Sequence, residues 1–248
     1  MRREERAGRL IVALDSPTMP RALAIARRLR GCVRVVKIGS VLFTACGPSI
    51  VQRVRAMGFQ VMLDLKFLDI PTTVALSCQA AVRQRIAMLT VHAAGEPAML
   101  RAAVVGTRAE ARRLRIARPL VLGVTVLTSV RGSRRAGARP HVVALAQRAV
   151  QSGCDGVVAS AQEAPALRRR FGRRLRIVCP GIRRVSARAD DQQRVATPAA
   201  ALRAGADFLV VGRPITAARD PRAAAQRILR AMACPSTCPN QMETPCAH

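Results

Sequence analysis

Eight short apolar runs alternate along the chain with longer Ala-, Leu- and Arg-rich stretches, and the alternation predicts a single α/β domain folded as a (β/α)8 TIM barrel. Three observations carry that prediction. Strand followed by helix recurs eight times, as a closed parallel sheet requires. A chain of 248 residues suits one such barrel. No glycine-rich dinucleotide fingerprint follows the first strand, which weakens the alternative of an open doubly wound sheet. Half of the residues are hydrophobic, yet five Phe are the only aromatics, so the core is expected to consist of Ala, Val, Leu and Ile.

The expected strands, in order, are Leu10–Leu14, Val33–Ile38, Val61–Leu65, Met88–His92, Leu120–Val126, Gly156–Ala159, Arg176–Cys179 and Phe208–Val211. Each is short, apolar and rich in β-branched residues, as strands covered on both faces are. Between them lie helical stretches such as Met19–Arg30, Ile50–Met57, Pro97–Arg115, Val142–Gln151, Ala161–Arg170, Pro198–Ala204 and Arg222–Met232. Arg131–Arg139 and Arg183–Arg188 read as basic loops after the fifth and seventh strands. The barrel domain is placed at residues 1–232, with residues 233–248 as a Cys-containing tail expected to be disordered.

In such barrels the chemistry sits where strands end at their C-terminal side. The polar residues left there are Asp15 after the first strand, Lys37 in the second, Asp64 and Lys66 in the third with Asp69 just beyond, and His92 in the fourth. Thr128 and Ser129 follow the fifth strand, Arg183 the seventh, and Gly212 and Arg213 the eighth. Asp64 and Lys66 are two apart and so share one face of their strand, while Leu65 points away toward the helices. With Lys37 from the neighbouring strand and Asp69 from the turn, two carboxylates and two ammoniums would alternate and keep one another ionised.

The lysine usage sharpens this reading. Of 42 basic residues only Lys37 and Lys66 are lysines, which leaves 40 arginines, and both lysines fall at strand ends facing the expected site. A guanidinium cannot release a proton near neutral pH, whereas an ammonium can be tuned to do so. Proton donation, or a need for a compact cation, explains why Arg is absent from these two positions.

The loops after the seventh and eighth strands commonly bind phosphate in barrels. Here they carry Pro180-Gly181-Ile182-Arg183, then Gln192, then Gly212-Arg213-Pro214. Gly212 permits close approach of a backbone N–H to an oxygen, Arg183 and Arg213 offer charge-assisted hydrogen bonds, and Gln192 can donate its amide.

The formal net charge is +28. Such a balance raises nucleic acid or an anionic membrane as a partner. The arginines, however, are spread along the chain without interleaved aromatics, so they read as solvated helix faces and no nucleic-acid partner is expected. A basic RNA-binding module on an inactive barrel is kept as an alternative. No run approaches the ~20 apolar residues needed to span a bilayer, and Leu10–Leu14 is too short for a signal-peptide core. Eight Cys without an export signal read as reduced thiols, so a cytoplasmic location is expected. In the tail, Cys234, Cys238, Cys246 and His248 match no standard zinc spacing, and no metal is expected.

The segments VALDSP, VKIG, LFTACGP, DLKFLDIPTTV, VHAAG, VTVLTS, DGVVASAQE, PGIR, DQQRVATP and AGADFLVVGRPITAARDP together resemble the bacterial orotidine 5'-phosphate decarboxylase family, in order, from about residue 10 to about 230. The resemblance implies cofactor-free decarboxylation of orotidine 5'-phosphate to UMP and CO2 in de novo pyrimidine biosynthesis. It implies Lys66 as proton donor to C6, Asp64 against the substrate carboxylate, and Lys37 completing the charge network and holding ribose hydroxyls with Asp15. Thr128, with Ser129 beside it, would contact the pyrimidine, and Arg183, Gln192, Gly212 and Arg213 would hold the phosphate. Asp69 and Thr73 would reach into the partner subunit's site, making a homodimer. Leu68 departs from the family's usual His, and the Arg131–Arg139 loop is unusually basic. Mg-dependent sugar-phosphate decarboxylases or aldolases of the same superfamily share D-x-K-x-x-D, but they usually carry an acidic residue near the second strand, where this chain has Lys37.

Overall fold

The computed structural model describes residues 3–126, 138–182 and 196–233. Within them eight parallel strands close into a barrel in chain order, the last pairing with the first. The strands are β1 (Leu10–Ala13), β2 (Val35–Gly39), β3 (Gln60–Phe67), β4 (Met88–His92), β5 (Leu120–Val124), β6 (Gly156–Val158), β7 (Arg176–Cys179) and β8 (Phe208–Val211). Around them run α1 (Arg3–Arg9), α2 (Met19–Leu29), α3 (Ser40–Cys46), α4 (Ser49–Ala56), α5 (Pro71–Arg83), α6 (Pro97–Arg113), α7 (Ala138–Gln151), α8 (Ala164–Phe171), α9 (Pro198–Arg203), α10 (Arg213–Thr216) and α11 (Pro221–Ala231).

The single-barrel expectation therefore holds, and the differences lie at element ends. The first and fifth strands stop at Ala13 and Val124, short of the expected Leu14 and Val126, while the third runs on to Phe67. Helices α3 and α5 had not been singled out. Ser40–Cys46 is almost wholly apolar and shows no polar face. Pro71–Arg83 opens on two β-branched threonines, which blurs its helical period. The expected Arg131–Arg139 loop begins outside the described residues, the Arg183–Arg188 loop lies wholly outside them, and so does the tail from residue 234.

Side-chain alternation splits the core in two. Ile11, Ala13, Val35, Met62, Met88, Leu122, Val178 and Val210 fill the barrel interior. The intervening strand residues, among them Leu10, Val12, Val36, Ile38, Val61 and Leu63, pack outward against the helices. Proline in the first turn pre-sets the backbone of α2, α5, α6, α8, α9 and α11, where its missing N–H costs no helical bond. The Thr197 and Asp220 side chains cap α9 and α11 by accepting from Ala200 and Ala223 N–H.

Helices α5 and α6 cover the strands that carry the charged cluster. Glu110 of α6 joins them by accepting from Arg83 of α5 at 2.7 Å and from Arg113 at 2.6 Å. Their backbones approach at Gly106, where an added Cβ would stand 2.9 Å from the Ala75 carbonyl oxygen. The obstacle is backbone, so one helix must move to admit a methyl. Gly106→Ala is accordingly expected to destabilise the fold by about 1–3 kcal/mol, as overpacking does. A lower denaturant midpoint with an unchanged m-value would record it; a midpoint equal to wild type would contradict this packing.

Candidate active site

Strand register brings the charges together. Ala13 pairs with Lys37, Lys37 with Met62, and Gly39 with Asp64. Lys37 and Asp64 lie on the inward face of β2 and β3, one step above the apolar plug formed by Val35 and Met62. Lys37 Nζ stands 2.8 Å from Asp15 Oδ1 and 3.4 Å from Asp64 Oδ2, and Lys66 Nζ stands 3.0 Å from Asp64 Oδ1. The result is a row of alternating charge, Asp15–Lys37–Asp64–Lys66. Exposure rises toward both of its ends: the Lys37 and Asp64 side chains are each 11% exposed, Lys66 34% and Asp15 54%.

Within one chain the second carboxylate of the row is Asp15, and Asp69 stands outside it. Asp69 lies three residues beyond Lys66, in an exposed turn, where its Oδ1 accepts from the Ile70 N–H at 2.6 Å. Among the described residues it forms no ion pair. Thr73 is exposed in the first turn of α5. Leu65 turns outward onto the helix-side core, as the two-residue alternation requires.

That alternation breaks at Lys66. Its φ is 53°, in the left-handed region, which costs a non-glycine residue of order 1–2 kcal/mol. On the β4 side Leu63 pairs with Leu89 and Phe67 with Val91, so Asp64, Leu65 and Lys66 together oppose Thr90. The strand bulges at the D-x-K motif, and the bulge re-aims Lys66. The fully buried Thr90 hydroxyl accepts from Lys66 N–H at 2.9 Å and donates to Asp64 Oδ1 at 3.0 Å.

Burial opposes ionisation of Asp64, but Lys37, Lys66 and the hydrogen bonds from Lys66 and Thr90 outweigh it and hold its carboxyl below the usual carboxylate range. His92 closes the cluster on β4. Partial burial, then the Lys66 charge, lower its pKa and keep the imidazole neutral. Its Nδ1 accepts from Ala94 N–H at 3.3 Å.

Two residues were missed at sequence level. Thr90 sits in an apolar run and carries no spacing signal. Gly39 lies two residues after Lys37 on the same face, and a Cβ there would meet Lys37 Nζ at 2.8 Å and Asp15 Oδ1 at 3.0 Å. The glycine leaves the volume in which that ion pair forms. The VKIG spacing holds the clue, since i and i+2 share a face.

Of the expected phosphate contacts, Gly212 follows β8 and leads into α10, whose Ile215 and Thr216 N–H groups donate to its carbonyl. The nearest atom to an added Cβ there would be Ala13 Cβ at 3.6 Å, so Gly212 lies beside β1 at the same mouth as the charge row. Arg213 is exposed at the first position of α10. Thr128, Ser129, Arg183 and Gln192 lie outside the described residues.

The profile of the orotidine 5'-phosphate decarboxylase / HUMPS family matches residues 8–228. An orotidine 5'-phosphate decarboxylase of Halorhodospira halophila is 50% identical over 226 residues, covering 89% of this chain and 94% of its own. One of Syntrophotalea carbinolica is 48% identical over 231 residues, covering 91% and 95%. The crystal structure of orotidine 5'-phosphate decarboxylase from Lactobacillus acidophilus superposes with a TM-score of 0.79 at 34% identity, over 91% of this chain and 99% of that one.

Gly39→Ala should push the Lys37 ammonium off Asp15 and away from Asp64. Asp64 then loses part of the attraction that offsets its burial, so its pKa rises. A carboxyl held low in the fold contributes stability above its unfolded value of about 3.9, and that contribution is lost as pH falls through the folded value. The variant should therefore begin acid unfolding at a higher pH than wild type. Carboxyl NMR titration of Asp64 checks the same shift directly, and coincident titrations would contradict the role given to Gly39.

Proposed function

The chain belongs to the orotidine 5'-phosphate decarboxylase / HUMPS family, and we propose that it is the decarboxylase itself, a cofactor-free cytoplasmic enzyme that converts orotidine 5'-phosphate to UMP and CO2 in de novo pyrimidine biosynthesis. The observation that carries this reading is the row Asp15–Lys37–Asp64–Lys66 at the barrel mouth. Residues 1–232 form the catalytic domain in this proposal.

The reaction breaks the bond between C6 and the carboxylate. CO2 departs, and the electron pair stays on C6, where no ring position delocalises it. A fixed cation beside C6 lowers the energy of that charge, and a proton from the same cation completes the product. Lys66 has the means for both, and water returns its proton afterwards. Asp64, ionised and nearly buried, would face the departing carboxylate and hold Lys66 in place through its 3.0 Å contact. Asp15 and Lys37 would bind the ribose hydroxyls. The phosphate would take the N–H groups and guanidinium at Gly212 and Arg213, joined by Arg183 and Gln192, and its binding energy would order the site around the ring, with Thr128 on the pyrimidine.

The family also includes the sugar-phosphate branch, for which a divalent cation would be required. Lys37 speaks against it: its ammonium lies between Asp15 and Asp64 and occupies the place a dication shared by those carboxylates would need. Among the described residues no group of three or more His, Cys, Asp or Glu is placed to hold a metal ion. No described helix is long and apolar enough to cross a membrane.

The partner in this proposal is a second copy of the chain. Leu68 and Ile70 flank Asp69 and are 56% and 65% exposed; Val41 on α3 and Leu76 on α5 are both 59% exposed. They lie on the segments that follow the adjacent strands β2 and β3, and exposed apolar side chains of this kind suit an interface. Asp69 and Thr73 would cross it to complete the partner's site.

Purified protein is expected to consume orotidine 5'-phosphate with EDTA present, followed as loss of substrate absorbance, and Lys66→Arg should be as inactive as Lys66→Ala because the guanidinium cannot give up its proton. Turnover that depends on Mg2+ would move the chain to the sugar-phosphate branch.

Mixing the inactive Lys66→Ala and Asp69→Ala homodimers should restore activity. Each mixed dimer holds one site with both residues intact and one with both lesions, so a random mixture should recover about a quarter of wild-type activity under two-fold symmetry. Absence of recovery, with exchange confirmed by tagged subunits, would place Asp69 in its own chain's site.

A further inference from the structure

We propose that Thr90 is a positioning residue for the decarboxylation: its hydroxyl locks the Asp64 carboxylate and the left-handed backbone of Lys66 into one unit, so that the Lys66 ammonium is delivered to a fixed point at the barrel mouth. The inference rests on the reading of Asp64 and Lys66 given above and adds a residue that touches neither substrate nor product.

The hydrogen bonds form a closed ring. Lys66 N–H donates to Thr90 Oγ1 at 2.9 Å, Thr90 Oγ1–H donates to Asp64 Oδ1 at 3.0 Å, and the Lys66 ammonium returns to the same oxygen at 3.0 Å. The direction of each bond is forced. A backbone N–H can only donate, so the Thr90 oxygen accepts from it and its single proton is left for Asp64. The carboxylate must then be an acceptor at Oδ1, which fixes its plane and turns Oδ2 toward Lys37 at 3.4 Å. One hydroxyl thereby sets the backbone at one end of the lysine and the counter-ion at the other.

Where the bulge lies explains why a side chain is needed. Three residues of β3 oppose Thr90 alone, so the ladder cannot supply a carbonyl to the Lys66 N–H. Lys66 adopts φ 53°, which a non-glycine residue holds only where its surroundings over-determine it. Thr90 is fully buried, so its hydroxyl has no direct contact with bulk solvent. The titratable groups that face this unit are the charged Lys37 from β2 and Lys66 from β3, the neutral His92 from β4 and, through Lys37, the charged Asp15.

The test compares Thr90→Val, which keeps the shape and removes the hydroxyl, with Thr90→Ser, which keeps the hydroxyl and removes a methyl. In Thr90→Val, kcat should fall by about 10- to 100-fold, the range that misplacement of a reacting group produces, while KM changes little because the residue touches no substrate. The acid limb of kcat should move to higher pH, since a hydrogen bond that favours ionised Asp64 is gone. Thr90→Ser should restore kcat and the pH profile even where its melting temperature is lower than that of Thr90→Val. A purely structural Thr90 would give the opposite pattern, with melting temperature tracking packing and kcat and pH limb unchanged in both. Wild-type kcat in Thr90→Val, or equal impairment in Val and Ser, overturns the proposal. Should Thr90→Val fail to fold, Thr90→Cys gives the same comparison with a weak donor of similar size. Lys66→Ala run alongside separates the two levels: if it too turns over normally, the catalytic reading of the row has failed rather than the role of Thr90.

Discussion

A carboxylate held almost out of water in the mouth of a barrel is the constraint around which this structure is organised. Asp64 is 8% exposed as a residue, and an isolated charge there would neutralise itself by taking a proton. It stays ionised because every direction from it is answered: Lys37 at one oxygen, Lys66 and Thr90 at the other. Such an arrangement is fragile by construction, since removal of any one donor leaves a buried charge undercompensated. In the proposed reaction the same arrangement would supply the chemistry: two cations already fixed by the fold would leave little reorganisation for the reacting state to bear.

The barrel meets this demand through register. The stagger between adjacent strands sets Lys37 of β2 beside Ala13 of β1 and Gly39 beside Asp64 of β3, which puts residues from three strands on one inward-facing level. Small residues at Ala13 and Gly39 leave the room that the Lys37 side chain fills. Below that level Ile11, Val35, Met62 and Met88 close the barrel with apolar atoms and keep water from reaching the charges from beneath. The bulge in β3 is the one departure from regular pairing between these strands, and it occurs at the motif itself. Pleated geometry alone would give Lys66 a direction but not a reach; the left-handed turn and the Thr90 hydroxyl provide the remainder.

How much of this was legible beforehand follows from what kind of signal each feature leaves. Strand and helix order was readable because apolar runs with short periods repeat, and the strand-end rule then located Asp15, Lys37, Asp64 and Lys66 without any contact information. The survival of lysine at two positions in a chain of 40 arginines marked the cations. The pairing of Asp15 with Lys37, rather than of Asp69 with either lysine of its own chain, was not readable, because it depends on stagger between strands and not on spacing within one. Thr90 was invisible for a related reason. Its hydroxyl matters only because the strand opposite bulges, and a single Thr between Leu89 and Val91 looks like any β-branched strand residue. Gly39 could have been found, since it shares a face with Lys37, but a glycine at a strand end reads first as the start of a turn.

The division between lysine and arginine also separates the two ends of the barrel. Where the strands begin, Arg118 grips Asp155 with two guanidinium nitrogens at 2.8 and 2.6 Å, while Asp155 accepts from Val121 N–H. One strand pair further on, Arg168 holds Asp207 through one guanidinium nitrogen at 2.8 Å while its other nitrogen donates to the Gly172 and Leu175 carbonyls, and Asp207 accepts from Ile177 N–H. These contacts use the planar fork of arginine to tie a carboxylate and a strand start together, a geometry that an ammonium does not reproduce. At the opposite end the requirement inverts. The space between Asp15 and Asp64 admits one compact cation that faces both carboxylates at once, and a guanidinium carries its charge over a wider plane. The same substitution pressure that makes arginine serviceable at the strand starts would break the row at the strand ends, which gives a physical reason why lysine persists there and nowhere else.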